Sequence, residues 1–482
     1  MSSEIRKLQP TALWNYFADI NAIPRPSKKE EKLKQHLLKF AKNHAIEALI
    51  DPIGNVIMRK PASKGMENRK AVVLQSHLDM VCQKNNDTVF DFATDGIEMM
   101  IEGDWVTANG TTLGADNGLG VAAILAIFAA DDISHPALEA LLTIDEETGM
   151  TGAIGLQAGY LHGDILLNLD TEDDDEIAIG CAGGIDITAE KSYEKTAISA
   201  QNAYEISVKG LRGGHSGMDI HKGYGNANKL MNRILYALKD ELSIAEIDGG
   251  SLRNAIPRES NALIISDTPQ KLEPLFDAIA SDIKKEYKTI EPNLSLSLSE
   301  AENPSHCMNK REQDGLLKTI YSLSNGVYRM SPDMEDLVET SNNLARVVVK
   351  DGHIKILCLT RSATESGKTD LSNGLKSTLE LGGFNVTLDG AYPGWKPNKD
   401  SAILKVLSEL YVKLYNEKPK IIAYHAGLEC GILGTNYPDM DMISFGPTIK
   451  RAHSPDEKAS ISSTQKFWKF LLEVLKTIPS KD

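Results

Sequence analysis

The sequence predicts an α/β protein: a sandwich-type domain on a mainly parallel sheet, interrupted by an inserted α+β domain. Four short apolar runs carry the first part of that expectation: AVVLQ (71–75), ALEALLTI (137–144), DILLNL (164–169) and MISF (442–445). Each is followed by a polar cluster and separated from the next by helical or longer segments, the pattern of parallel strands buried on both faces. Between roughly 187 and 390 the character changes to strand-like AYEISVKG, glycine-rich GLRGGHSG and helical NANKLMNRILYAL, and the first pattern resumes only after AYPGWKPN. A length of 482 residues is roughly three domain-sized units at about 150 residues each, room for a split domain and an insertion.

The elements follow in chain order. Leu13, Tyr16, Phe17 and Ile20 fall at helical spacing and stop before Pro24 and Pro26, which ends a first helix. A second follows the charged KKEEK, with Leu33, Leu37 and Phe40 as its apolar stripe. The buried strands then lead to His77, Glu146, Asp170 and His453, with the apolar helix GVAAILAIF after GADNG. Ligands of open α/β sheets bind outside the carboxyl ends of the strands, so one shared site is expected there. Within the insertion, HIKILCLTRSATESG, LSNGLKSTLELGG and FNVTLDG repeat the earlier order weakly, which allows two similar halves. Pro393, Gly394 and Pro397 punctuate a hinge. The expected division is 1–186 and 391–482 for the split domain and 187–390 for the insertion.

Composition excludes several function classes. Hydrophobic residues make up 41% and charged residues 25%, as in folded globular chains and unlike disordered tails or membrane bundles. The longest apolar run, Val121 to Ala130, is about half of the roughly 20 residues that a bilayer span needs, so no membrane partner is expected. The opening MSSEIRKLQP has no apolar stretch, so no signal peptide is expected. With 52 basic against 67 acidic residues the net charge is -15, which opposes nucleic-acid binding. Cys82, Cys181, Cys307, Cys358 and Cys430 are scattered without a CxxC, so neither a disulfide framework nor a zinc ribbon is expected, and the reducing cytoplasm fits best.

The candidate chemistry sits at the strand ends. His77 and Asp79 form an H-x-D pair on one side of a strand, as a metal ligand with its carboxylate partner or as a histidine satisfied by a neighbour. Asp116 in GADNG reads either as a helix cap or as a carboxylate bridging two cations. Asp145, Glu146 and Glu147 suit a helix N-terminus, yet neighbours at a strand end diverge, so one glutamate can bind metal while the next stays free as a base. Asp170 ends another strand, and the acids after it read as a solvated loop. His453 follows the strand ending at Phe445. His425 and Glu429, in HAGLECG, read equally as cleft lining or as a structural turn. Taken together, two histidines and several carboxylates converging from separate strands match a dinuclear zinc or manganese site. A GxSxG elbow, a P-loop and a dinucleotide fingerprint are absent from the sequence.

SHLDM (76–80), GADNG (114–118), DEETG (145–149), NLD (168–170), GGHSG (213–217), HAGLECG (425–431) and GPT…HSPDE (446–457) resemble the motifs of the co-catalytic metallopeptidases, the family that includes glutamate carboxypeptidases and aminoacylases. Within it the sequence is most similar to the bacterial aminoacyl-histidine (Xaa-His, β-alanyl-histidine) dipeptidases. The similarity extends over nearly the whole chain, through KPASKGMENRK, QKNNDT, NAIPRE and GAYPGW.

The resemblance implies a catalytic α/β domain interrupted by a lid, and two divalent metal ions, zinc first with cobalt or manganese as alternatives. His77, Asp116 and Asp170 would hold one ion, and Asp116, Glu147 and His453 the other. Glu146 would be the base, with Asp79 orienting His77. His215 would polarise the scissile carbonyl and Arg361, in CLTRSATESG, would capture the substrate carboxylate. Asn254, His425 and Glu429 would contact substrate. The implied activity is hydrolysis of short unblocked peptides, Xaa-His dipeptides included. A tripeptidase or aminopeptidase and an N-acyl amino acid deacylase are the nearer alternatives, and an inactive metal-binding scaffold the remote one. Short-lid relatives dimerise through a lid about half this long, so a homodimer stays open here.

Overall fold

In a computed structural model, which describes residues 2–198 and 202–481, the chain divides into two compact units: Met1–Gly180, Pro397–Ala423 and Leu428–Asp482 form one, Cys181–Lys396 and Tyr424–Gly427 the other. The breaks thus fall at 180/181 and 396/397, where 186/187 and 390/391 are expected from the sequence. Tyr424–Gly427 groups with the inserted unit because the Ala182 amide donates to the carbonyls of Tyr424 (2.9 Å) and Ala426 (3.0 Å).

The first unit rests on an eight-stranded sheet in the order Glu47–Ile50, Val56–Lys60, Leu138–Thr143, Val72–His77, Ile165–Asn168, Asp441–Ser444, Glu176–Cys181, Lys420–Tyr424. The middle four strands are parallel and antiparallel pairs flank them, so the sheet is mixed. Val72–His77, Leu138–Thr143 and Ile165–Asn168 are buried at every residue, as continuous apolar runs under two helical layers must be. His77 lies opposite Thr143, and Asn168 opposite Ser444. The strands therefore end together, and the segments carrying Asp79, Glu146, Glu147 and Asp170 leave from one edge.

Beyond Ser444 the chain forms a hairpin, Ile449–Lys450 with Lys458–Ser460, whose second arm pairs with Trp105–Ala108 in a small four-stranded sheet. This brings the turn with His453 beside the segment leading to Asp116. Helix Thr11–Asn21 buries Leu13, Phe17 and Ile20 of its predicted stripe and Trp14 besides, with Tyr16 only half-buried, and helix Glu31–Asn43 buries the predicted Leu33, Leu37 and Phe40. Helix Ala115–Ala129 has non-helical dihedrals at Asp116 and Asn117, with Gly114 as its cap residue; Asp116 is no cap.

The second unit is a nine-stranded sheet, antiparallel throughout, with the long hairpin Val338–Lys350 and His353–Ser362 near its middle. Helices Ala227–Ala237, Lys310–Ser322 and Glu365–Leu381 pack their buried faces into one apolar core with it. The two stretches that repeat weakly in sequence share this sheet, joined where Gly249 pairs with Val347. Among the described residues no helix is long and apolar enough to cross a membrane.

Candidate metal centre

Asp116 is the hinge of the site. Its Oδ1 lies 3.1 Å from His77 Nε2 and its Oδ2 lies 3.0 Å from His453 Nε2. Asp170 Oδ1 lies 3.5 Å from the same nitrogen of His77, and Glu147 Oε2 lies 3.2 Å from that of His453. Donor atoms of His77, Asp116 and Asp170, of Asp116, Glu147 and His453, and of His77, Glu146 and Glu147 each gather within 4.8 Å of one another. Ligands about 2.1 Å from a tetrahedral ion are about 3.4 Å apart, so these spacings suit a cation held between the donors. Burial and the Asp116 and Glu147 charges push Asp170 up to about 6. Glu147 is likewise raised, and its Oε1 is buried without a hydrogen-bond partner. Crowded, desolvated carboxylates with an unpaired oxygen are the donor set that a divalent ion satisfies.

Glu146 and Glu147 open the short helix Glu146–Gly149, with Asp145 before them in the left-handed region at φ 53°. Asp145 turns to Thr151 (2.8 Å) and Thr148, away from the histidines. Asp79 binds the turn: its carboxylate accepts the amide hydrogens of Glu146 (3.0 Å) and Glu147 (3.2 Å) and the Ser27 hydroxyl (2.7 Å). His77 Nδ1 sits 3.4 Å from the same carboxylate. Burial alone would raise Asp79, but the bonds from His77, Ser27 and the Glu146 amide hold it at about 2. Glu146 moves the other way: burial and the charges of Asp170, Glu147 and Glu429 raise it well above an ordinary carboxyl.

Several residues near this centre escape sequence reasoning. Arg25 is 1% exposed and donates to the carbonyls of Leu78 (3.0 Å), Asp79 (2.9 Å) and Gly114. Gly114 has φ 70°, and a Cβ there would come within 2.5 Å of the Arg25 guanidinium. Glu457, inside HSPDE, accepts amides of the Asp116 turn. Glu172, read as part of a solvated loop, is pushed up to about 8 by burial and the Asp116 charge. Glu429, expected at the substrate, is 1% exposed and accepts hydrogen bonds from Gln75 (2.6 Å) and Thr143 (2.7 Å). Burial pushes it up to about 7.

His215, Asn254, Arg361 and His425 belong to the second unit. The Asn254 carbonyl accepts the Ser216 amide (2.8 Å) and Gly214 pairs with Ile256, so the His215 and Asn254 segments run side by side. His215 Nδ1 accepts the amides of Gly217 (3.2 Å) and Met218 (3.0 Å), which puts the imidazole proton on Nε2. That nitrogen is 3.4 Å from Arg361 Nη2. Arg361 donates to the Tyr392 hydroxyl (2.8 Å) and its Nε is buried without a partner. Two neighbouring donors make a pocket for an oxygen acceptor or an anion. His425 bonds through Nε2 to the Ser341 hydroxyl (2.7 Å), and a Cβ on Gly217 would strike the His425 carbonyl.

Residues 73–477 match the model of peptidase family M20/M25/M40. The chain belongs to that family. Among M20 relatives it is 46% identical to the cytosol non-specific dipeptidase of Escherichia coli (strain K12) over 99% of this chain and 100% of the relative. A crystal structure of aminoacylhistidine dipeptidase from Vibrio alginolyticus superposes with a TM-score of 0.92 at 46% identity, covering 100% of both chains. A tripeptidase from Staphylococcus aureus shares the M20 fold at a TM-score of 0.57 and 15% identity, over 98% of this chain and 99% of that one. The three donor groups agree with the dinuclear metal dependence of M20 peptidases.

Proposed function

We propose that the chain is a metal-dependent dipeptidase that hydrolyses short unblocked peptides, Xaa-His dipeptides among them. The observation that carries the reading is the division of Asp116, one oxygen toward His77 and the other toward His453, with Glu146 in the same cluster. The full-length 46% identity to the non-specific and aminoacylhistidine dipeptidases supports the substrate class, and the name of the former supports a cytosolic location.

In this reading His77, Asp116 and Asp170 hold one divalent ion and Asp116, Glu147 and His453 the other. Zinc comes first, with cobalt and manganese tolerated by the same donors. When bound, such a pair supplies an activated water and a Lewis acid for the peptide carbonyl. Asp79 keeps His77 in its orientation. Glu146 takes the proton of the attacking water and returns it to the leaving amine, a task that suits a carboxyl held above its usual range by burial. His215 donates from Nε2 to the developing oxyanion and Arg361 binds the terminal carboxylate of the peptide, with Asn254 and His425 on the segments around them.

The test is Glu146→Ala, assayed for metal content and turnover on alanyl-histidine. It should keep its metal and lose essentially all turnover, whereas substantial residual activity removes Glu146 as the base. Beside it, wild type should cleave alanyl-histidine faster than a tripeptide or an N-acetyl amino acid; the reverse order rejects the dipeptidase reading.

A further inference from the structure

We infer that Glu457 is a positioning residue that couples the two loops supplying Asp116 and His453, and so sets the affinity of the ion those residues share. The inference rests on the two-ion reading above. Glu457 is 2% exposed, and its carboxylate spans the turn that precedes helix Ala115–Ala129. Oε2 accepts the amide hydrogens of Leu113 (2.8 Å) and Gly114 (3.0 Å). Oε1 accepts those of Ala115 (2.8 Å) and Asp116 (3.3 Å). Amides at a helix start have no internal acceptor, and here one side chain takes four consecutive amides, Leu113 to Asp116, across that start.

That side chain comes from the loop carrying His453. The loop closes on itself through the Glu457 amide, which donates to the Ser454 carbonyl (3.0 Å), and the Ser454 hydroxyl, which donates to the Arg451 carbonyl (2.8 Å). On the far side of the Asp116 turn, Arg25 takes the Gly114 carbonyl. The turn is thus held by its amides from the His453 loop and by a carbonyl from Arg25. His453 itself is half exposed, with its side chain 52% accessible, so packing alone does not fix it against Asp116. The carboxylate of Glu457 supplies the missing constraint between the two backbones. Asp170 takes no bond from Glu457; the Asn117 side chain ties it to the Asp116 turn and also donates to the Leu169 carbonyl (2.8 Å). The ion on His77, Asp116 and Asp170 thus keeps a link that does not run through Glu457 and depends on it less than the ion on Asp116, Glu147 and His453.

Glu457→Gln is the direct test, because an amide offers one acceptor oxygen and turns its NH2 toward backbone donors. Full-length wild type and variant, stripped with chelator, are titrated with Mn2+ by calorimetry and by electron paramagnetic resonance, which separates single from spin-coupled ions. Wild type should take up two ions. The variant should bind the first within about threefold of wild type and the second about ten- to a hundredfold more weakly, the range expected when a partner behind the ligands is lost. Glu457→Asp, which keeps the charge but is one carbon too short to span both amide pairs, should fall between them, and it carries the comparison if the glutamine variant does not fold. Two ions at wild-type affinity in the variants, or equal weakening of both ions, overturns the inference while leaving the two-ion reading intact. A wild type that takes up a single ion overturns both.

Discussion

Asp79 shows how much one carboxylate can organise. It takes the amides of Glu146 and Glu147 while facing His77, so one group sets both the Glu146–Glu147 turn and the orientation of His77. The H-x-D spacing makes the second contact legible in the sequence. The first is not, because the amides lie 67 and 68 positions further along the chain. His425 is a second case where the surroundings decide behaviour. Burial, and then the positive charge of Arg361, holds it down to about 3. An unfolded histidine takes up its proton near 6.5, so between those values the unfolded chain binds more protons than the folded one. The contribution is complete above about pH 6.5 and drains as pH falls, at up to about 1.4 kcal/mol per pH unit. Wild type should therefore lose about 2 kcal/mol more than His425→Gln between pH 6.5 and 4.5. Urea titrations of both across that range check this; a pH-independent difference between the two rejects it.

At the scale of elements, the strands that deliver the site are readable because each is a continuous apolar run stopped by a polar cluster. What the runs do not encode is their neighbours. The antiparallel flanks, the hairpin at Ile449–Lys450 and Lys458–Ser460 and its pairing with Trp105–Ala108 depend on contacts between segments far apart in sequence. Arg25 belongs to this unreadable class. From a proline-punctuated turn it joins the end of helix Thr11–Asn21, through Asn21 Oδ1 (3.3 Å), to the loop after Val72–His77 and to the Gly114 turn. Arg25→Met keeps the apolar stem and removes every donor: the buried Leu78 carbonyl loses its bond, while the Asp79 carbonyl keeps His77 Nδ1 (3.2 Å) and the Gly114 carbonyl keeps the Gly118 amide (3.2 Å). At about 1–3 kcal/mol for an unpaired buried group, the variant should lose about 1–3 kcal/mol by chemical denaturation. A loss below about 1 kcal/mol would mean that other donors replace the guanidinium.

At the scale of the whole molecule, the change of pattern near 187 and its end near 390 lie within about six residues of the breaks at 180/181 and 396/397, because a switch from buried parallel runs to amphipathic antiparallel strands is visible in periodicity. Tyr424–Gly427 is missed, since four residues that cross to another unit leave no periodic signal. The surplus of acid, a net charge of -15, finds part of its explanation in the first unit. There Glu146, Glu147, Asp170, Glu172, Glu429 and Glu457 are all pushed upward by burial and by neighbouring carboxylates, Asp116 among them. Such a concentration of carboxylates makes the fold depend on its cations by simple mass action: an ion that binds only the folded state stabilises it by about 2.7 kcal/mol at a hundredfold excess over Kd. Removing metal with a chelator should lower the melting temperature, and Zn2+ or Mn2+ should restore it in a concentration-dependent way. Hydrogen exchange should rise most in 76–80, 113–117, 145–149 and 449–460, where the donors sit, and least in the strands Ala203–Lys209, Ser243–Gly250 and Ser260–Ile265. In the proposed two-ion reading Glu146 holds neither ion, so Glu146→Ala should show the same restoration without activity. An unchanged melting temperature after verified metal removal would mean that the carboxylates satisfy one another, and the charge surplus would again need another cause.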